Sequence, residues 1–424
     1  MIAFASLFLG LIVGVRSVAV VASAPVAAVR FELDGQPAGR IAGKPWSAEI
    51  DFGQELEPHE LVAVALDSKG LEIGRVAQWV NLPRPPAEIE IVLERDSAGV
   101  ATAARLTSSG RTAARPTRVS LTLDRRPLSL DGAWRAVVPA YDPETPHVLT
   151  AEVEFPSDVR SRSDMVLGGG SSGDAKSELT AVAFRVRRGG VAPSLETLRG
   201  GFTRKGEALN AVAVDHGPAD VVVVRDFETT TAILALGNRG PLIDRWVEKG
   251  DRVRIFWPTA RHIIPMKEGR AELFEMSRLL TRSEGGFYNL MTRLRYPGSF
   301  GPPYRFADAV AVAGLEGYSG GSRRAVVLVL GISKDESVYT PAAVRRYLAR
   351  IQVPLHVWSL TGAEAGAPSA WGEVEDVSSL LGLSRAVTRL KEDLAGQQVA
   401  WFEGRHRPQD IALTDKAAGV ELAR

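Results

Sequence analysis

Three consecutive pieces decide the fold of the C-terminal half: Arg323-Arg324-Ala325-Val326-Val327-Leu328-Val329-Leu330; after a polar loop, Pro341-Ala342-Ala343-Val344-Arg345-Arg346-Tyr347-Leu348-Ala349-Arg350-Ile351; and Val353-Pro354-Leu355-His356-Val357-Trp358-Ser359-Leu360. The first and third are strand-like apolar runs. A strand of a parallel sheet reads this way because helices cover both of its faces. In the middle piece apolar side chains recur at helical spacing. Thr340 stands where its hydroxyl can cap the first turn, and Pro341 has no N–H to leave unpaired there. The spacing turns Tyr347, Leu348 and Ile351 toward a sheet and Arg345, Arg346 and Arg350 toward water. Together the pieces form a βαβ unit with a right-handed crossover.

The same style extends outward. Val221 to Val224 is another β-branched run, and Arg252 to Trp257 another strand. Helices are expected over Ala271 to Leu280 and Phe306 to Leu315. From Leu390 a helical stretch leads into strand-like pieces, with Trp401-Phe402 packing back on the body. The expectation is an α/β domain over 219–390, a connecting segment 191–218 before it, and a tail 391–424.

Toward the N-terminus the pattern becomes short and alternating. Val29-Arg30-Phe31-Glu32-Leu33 runs into the tight-turn pair Asp34-Gly35, and Trp46 to Ile50, Leu61 to Leu66 and Ile89 to Leu93 follow in strand style. About 90 residues later the phrases return: Val119 to Asp124 echoes Val29 to Asp34, Ala133 to Val137 echoes Trp46 to Ile50, and Pro146-His147 echoes Pro58-His59. Two Ig-like β-sandwich repeats are expected, over 25–95 and 118–190. Trp46 and Trp134 should be equivalent buried anchors, and His59 and His147 turn or strand-entry residues. The Ala-, Ser-, Thr- and Arg-rich stretch 96–117 reads as a linker. Gly168 to Gly173 is a flexible loop without the Lys-Ser/Thr of a phosphate loop.

A chain of 424 residues exceeds one ordinary core, which fits several domains. Its net charge of +1 offers no basic stripe for phosphates, so a nucleic-acid partner is not expected. Without cysteine there is no disulfide, thiolate nucleophile or Cys-ligated zinc. Ile2 to Val15 is apolar and is followed by Ala22-Ser23-Ala24. That reads as a signal peptide or N-terminal anchor over 1–24, hence an exported protein whose one membrane contact is this segment.

Catalytic signals are sparse. Gly317-Tyr318-Ser319-Gly320-Gly321 fits G-x-S-x-G, but a helix-like stretch precedes Ser319 and a strand follows, the reverse of a nucleophile elbow. The six His residues, 59, 147, 216, 262, 356 and 406, show no metal spacing. Asp335-Glu336 and Glu373/Glu375 read as solvated loop charges.

The order of strand Arg323–Leu330, polar loop, Pro341 helix and strand Val353–Leu360 resembles the second half of a von Willebrand factor type A domain, and Gly250-Asp251-Arg252-Val253 leading into a strand fits it too. The layout is similar to bacterial exported proteins in which small β-domains precede such a domain. The resemblance spans roughly Ala219 to Leu360. It implies a doubly wound, Rossmann-like sheet with a loop site at the carboxyl ends of its strands. It also implies protein binding through a divalent cation held by Asp-x-Ser-x-Ser after the first strand, a Thr from a second loop and an Asp after the fourth strand. The first motif falls on Asp226-Phe227-Glu228-Thr229-Thr230, so Asp226, Glu228, Thr230 and the displaced Asp335 become the candidate metal ligands. No counterpart of the second-loop Thr stands near Gly285-Gly286-Phe287 or Tyr304-Arg305, and Lys334 adds a repelling charge that can pair with Asp226. The expectation is a degenerate site without a tightly held Mg²⁺, and no other cofactor. Function is then expected as an exported adhesion or scaffold protein that binds a protein partner. The alternatives are a serine hydrolase using Ser319 and a purely structural envelope component.

Overall fold

The computed structural model describes residues 2–6, 10–22, 26–82, 87–97, 99–110, 116–145, 147–154, 160–168, 179–187, 193–236, 245–266, 269–281, 287, 289–294, 302–319, 321–362, 370–417 and 419–424. The expected Gly168–Gly173 loop falls largely outside them.

Seven strands build the first module: β1 (Ile2–Phe4), β2 (Val15–Ala22), β3 (Ala28–Leu33), β4 (Gln36–Ile41), β5 (Ser47–Asp51), β6 (His59–Leu66) and β7 (Glu72–Val80). They form two antiparallel sheets, β1-β2-β5 and β4-β3-β6-β7. Alternate residues of both sheets (Val18, Val20, Phe31, Ile50, Leu61, Ala63) close the core, as a sandwich requires. The second module repeats the plan with β8 (Ala87–Arg95), β9 (Ala101–Gly110), β10 (Arg118–Leu123), β11 (Arg126–Leu128), β12 (Arg135–Val137), β13 (His147–Glu154) and β14 (Arg160–Leu167). Its sheets are β8-β9-β12 and β11-β10-β13-β14, the same order strand for strand. Both β3–β4 and β10–β11 turn through two residues with positive φ, Asp34-Gly35 and Asp124-Arg125. Trp46 and Trp134 each stand just before the equivalent strands β5 and β12; Trp46 is buried and Trp134 half-buried.

Two boundaries are corrected. The stretch 96–117 contains β9, which pairs with β8 along its length. Its small residues hid the alternation, yet Ala101, Ala103, Ala104 and Leu106 are buried. Residues 2–22, expected as leader or anchor, supply β1 and β2; Val18 and Val20 lie in the core and β2 pairs with β5. The apolar character of this stretch therefore serves a strand. Among the described residues no helix is long and apolar enough to cross a membrane.

A third β-unit is split in sequence. Its first part holds β15 (Leu179–Val186), the short helix α1 (Leu195–Leu198), β16 (Phe202–Arg204), β17 (Glu207–Ala208) and β18 (Ala211–Asp215). The rest comes after the α/β domain as β26 (Gln397–Glu403), β27 (Ile411–Leu413) and β28 (Val420–Leu422). The sheets are β18-β26-β15-β28 and β17-β16-β27, packed around Phe184, Phe202 and Phe402. The expected tail is therefore half of a domain, and the α/β domain is inserted within it.

That insert carries β19 (Ala219–Arg225), α2 (Thr229–Ala235), β20 (Arg252–Met266), β21 (Gly269–Met276), β22 (Leu280–Thr281), α3 (Phe306–Ser319), β23 (Arg323–Leu330), α4 (Pro341–Arg350), β24 (Leu355–Ser359), β25 (Glu375–Asp376) and α5 (Leu380–Gly396). The strand order is β21-β20-β19-β23-β24-β25, with β22 beside β20. β20, β19, β23, β24 and β25 run parallel, while β21 and β22 are antiparallel to β20. The helix expected over Ala271–Leu280 is corrected: it is β21 and the turn into β22. Alternation along β19 sends Val221 and Val223 to the α5 face, with Leu383, Val387 and Leu390. Val222 and Val224 go to the α3 and α4 face, with Val310 and Leu348. On α4, Tyr347, Leu348 and Ile351 are buried as expected. α3 and α4 touch so closely that a Cβ at Gly314 would overlap Leu348. The first module docks on the outer side of α4: Tyr347 Oη donates to Asn81 O at 2.9 Å, and Arg350 pairs with Glu55 and Glu57. Arg350, expected in water, is therefore only partly so.

Candidate functional site

In this strand order the chain leaves β19 to one side for β20 and returns on the other side as β23. The connections at their carboxyl ends then part toward opposite faces, the usual ligand position in an open α/β sheet. Arg225 and Asp226 end β19 at that point. Both are buried, at 1% and 0% exposure. Asp226 Oδ1 accepts the Thr229 N–H at 2.8 Å, which starts α2. Asp226 Oδ2 is buried without a hydrogen-bond partner, and so is Thr259 Oγ1 on β20. The Arg305 N–H donates to Pro258 O at 2.6 Å, which holds the Tyr304 loop against the end of β20. Burial raises the Tyr304 phenol above its ordinary pKa, and the charges of Asp226 and Glu228 raise it further.

Arg225 is the cation of this site. Its Nη1 donates to Asp226 O and to Thr230 Oγ1, both at 3.1 Å, and Nη2 donates to Leu294 O at 3.2 Å. Burial pushes its pKa down to about 10, against the favourable charge of Asp226, so it stays charged at neutral pH. The expected pairing of Lys334 with Asp226 is not what the structure gives: Lys334 is exposed on its loop.

The four candidate metal ligands do not gather. Glu228 is exposed. The Thr230 hydroxyl accepts from Arg225. Asp335 caps α3: Oδ1 accepts the Phe306 N–H at 2.9 Å and Oδ2 the Ala307 N–H at 3.3 Å. Asp308 returns the favour, accepting the Val338 and Tyr339 N–H groups at 3.0 Å. Asp335 is thus spent on backbone N–H groups, and a fixed guanidinium stands behind Asp226. This donor set does not fit the octahedral oxygen cage that Mg²⁺ needs. Among the described residues no group of three or more His, Asp or Glu could hold a metal.

Elsewhere the candidates have structural partners. Ser319 ends α3 and its Oγ donates to Glu316 O at 2.7 Å, and the chain then enters β23, so the elbow geometry is reversed. His59 and His147 each hold the turn aspartate of their module: Nδ1 lies 2.8 Å from Asp34 Oδ2 and 2.6 Å from Asp124 Oδ2. His356 on β24 sits between two carboxylates, Glu375 Oε1 at 3.6 Å and Asp393 Oδ2 at 3.2 Å. Asp393 also binds Arg185 of β15 at 2.5 Å. Burial works against the His356 charge, but the hydrogen bonds and charges of Asp393 and Glu375 prevail and its pKa stands above the ordinary imidazole value.

Arg225 and Thr259 belong to no motif in the sequence, and Tyr304 enters it only as a place where the second-loop Thr is missing. A charged residue directly after the Val221–Val224 run is the sequence signal for Arg225.

Exposed apolar side chains stand on the loops after β19 and β23: Phe227 at 50%, Ile332 at 85% and Val338 at 72% exposure. The Gly331 backbone lies against Thr229, where a Cβ would come within 3.3 Å of Thr229 Cγ2, so the β19 and β23 loops are neighbours.

No family model and no curated protein matches the chain. Among solved structures it is similar to fibronectin(III)-like modules of Clostridium thermocellum CbhA, at 14% identity and a TM-score of 0.17, covering 41% of this chain and 98% of that one. It is also similar to a central fibronectin-III array of RIM-binding protein, at 9% identity and a TM-score of 0.22, covering 46% of this chain and 81% of that one. The N-terminal modules are Ig-like and fibronectin III-like β-sandwiches by their strand order, and a mixed α/β sheet follows them.

Proposed function

We propose that the chain is a protein-binding adhesion or scaffold protein, with a von Willebrand factor type A-like α/β domain that presents its switch-point loops to a protein partner. The observation that carries this reading is the set of exposed side chains Phe227, Ile332 and Val338 on the loops that follow β19 and β23, where among the described residues the polar groups form no nucleophile–base pair. Large apolar side chains left in water at one place mark an interaction surface. The type A-like assignment is supported by the order of the parallel strands, in which the first (β19) lies between the second (β20) and the third (β23), with the antiparallel β21 at the edge beside β20. The β-modules act as spacers, the first being fixed to α4. Export is part of the proposal; β1 and β2 lie within the stretch that suggested it, so it rests on the string of β-sandwich modules, and cell fractionation tests it.

Crosslinked capture with the full chain, beside a Phe227→Asp/Ile332→Asp variant of unchanged thermal stability, tests the binding surface. The expected result is a partner captured by the wild type and lost with the variant. Equal capture by both would place the binding surface elsewhere.

A further inference from the structure

The first module and the α/β domain share a core. Leu56 and Leu82 of the module are buried in one apolar cluster with Val310, Val344 and Tyr347, and Leu11, Val13 and Trp79 pack against it. Parting the two bodies would return that surface to water, so the docked arrangement is the stable one. Asn81 organises the module's side of the contact. It is buried with φ at 56°; its Oδ1 accepts the Ile12 N–H at 2.7 Å, and its Nδ2 donates to Ile12 O at 2.8 Å and to Glu57 O at 2.7 Å. One side chain thus ties the stretch around Ile12 and the Glu57 backbone to the end of β7. Two tyrosines of the α/β domain close on it: Tyr347 Oη donates to Asn81 O, and Tyr339 Oη donates to Leu11 O at 3.1 Å.

Tyr339 stands on the loop 331–340 between β23 and α4, directly after the exposed Val338 and on the same loop as the exposed Ile332. Within its own domain the loop leans on the start of α3: the Glu336 N–H donates to Tyr304 O at 2.8 Å, and the Val338 and Tyr339 N–H groups donate to Asp308. The Tyr339 hydroxyl carries the same loop across to the first module. We infer that the first module is a regulatory latch on this loop: docked, it holds the loop that presents Ile332 and Val338, and released, it lets that loop open. Coupling of this kind is a free energy and therefore reciprocal, so loosening the loop must weaken the docking by the same factor. A surface held in shape binds more tightly than one that must be ordered on contact. If the loops bind a partner as proposed above, the latch sets the affinity; that consequence rests on the protein-binding reading, whereas the coupling stands without it.

Hydrogen exchange of the full chain reads the local opening of each segment. Leu56→Ala weakens the docking from the module's side without touching the loop, and should speed exchange of 331–340 about tenfold. Glu55→Gln/Glu57→Gln removes only the pairs with Arg350, about 15 Å along α4 from the loop, and should speed it about threefold. Tyr339→Phe deletes the hydroxyl alone and should speed it about fivefold. In the reverse direction Asp335→Ala alters the loop and its caps on α3, and should speed exchange of 10–14 in the module. β6 and β23 should exchange as in the wild type throughout, which separates release of the latch from unfolding of either body. Faster loop exchange in Tyr339→Phe alone would reveal a local bond and overturn the latch. So would unchanged exchange of 331–340 in Leu56→Ala and the glutamine pair, or of 10–14 in Asp335→Ala. Loss of β6 protection in Leu56→Ala would leave the decision to the glutamine pair. A coupling that passes these tests, beside equal capture by the wild type and the Phe227→Asp/Ile332→Asp variant, would keep the latch and remove the binding surface.

Discussion

Replacing His356 by Gln should loosen the seam between β24, β25 and α5. The imidazole sits 3.2 Å from Asp393 and 3.6 Å from Glu375 with its side chain 10% exposed. At an effective dielectric constant near 20 each contact represents about 5 kcal/mol of gross attraction. Desolvation of the three groups returns most of it, and loss of one partner from such a buried set costs about 3 kcal/mol. Arg185 remains to hold buried Asp393, while Glu375 keeps only the longer contact with the exposed Arg389, at 3.6 Å. The pH dependence has a definite sign. The folded pKa of His356 is raised, so its contribution is complete below the unfolded value of about 6.5 and is lost as pH rises through the folded value. The Asp393 carboxyl, which burial raises but His356 and Arg185 hold below its ordinary pKa, contributes above about 3.9 and loses that contribution as pH falls. Hydrogen-exchange protection of 355–359 and 380–396 reads the seam locally, which suits a multi-domain chain that need not unfold in one step. Protection in the variant should fall by roughly 150-fold at pH 6. In the wild type it should decline above pH about 6.5, and in the variant that decline should disappear. Wild-type protection that rises over that range, or an identical profile in the variant, would refute the reasoning.

Deleting residues 1–24 removes β1 and β2 and should leave 26–82 open to trypsin; a resistant module after deletion would restore the leader reading. Asp335→Ala removes the caps of α3 and should cost about 1–2 kcal/mol by thermal unfolding, with no change in any calorimetric Mg²⁺ signal. A variant that loses Mg²⁺ binding would contradict the capping role. Asp34→Ala should destabilise its module by about 1 kcal/mol more than Asp124→Ala does the other, because Asp34 also pairs with Arg407 of the third β-unit. Equal losses in parallel melts would show that the Arg407 contact carries no weight.

Periodicity made much of the α/β domain legible. The β-branched run at Val221–Val224, the Ala325–Leu330 run and the Thr340-Pro341 start of α4 each obey a local rule that the tertiary structure does not override. The second module was half legible, because its echo of Asp34 and His59 reports a working contact: the aspartate of the turn holds the histidine of the next strand in both copies. What failed did so for identifiable reasons. The buried face of β9 is mostly alanine (Ala101, Ala103, Ala104), whose burial leaves little mark in a hydropathy pattern. β2 shares its composition with a leader. The switch-point site was found through Asp226, but its cation was sought in Lys334, since adjacency in a loop is visible in sequence and the inward turn of Arg225 is not. His356, Glu375 and Asp393 come together only through β24, β25 and α5, and no spacing announces that.

The splitting of the third β-unit bears on how the chain reaches its native state. β18 and β26 are neighbours in one sheet, and the contact of His216 with Gln397 spans 181 residues. Joining such distant partners in an unfolded chain carries a closure entropy of about 5 kcal/mol. An α/β insert that has already folded delivers the end of β18 and the start of β26 side by side, so that cost is met before the sheet begins to form. The order of events should therefore run from the inside of the sequence outward, and variants that slow folding of the insert, such as those in the β23–α4–β24 unit, should delay the appearance of the β15–β26 ladder by the same factor.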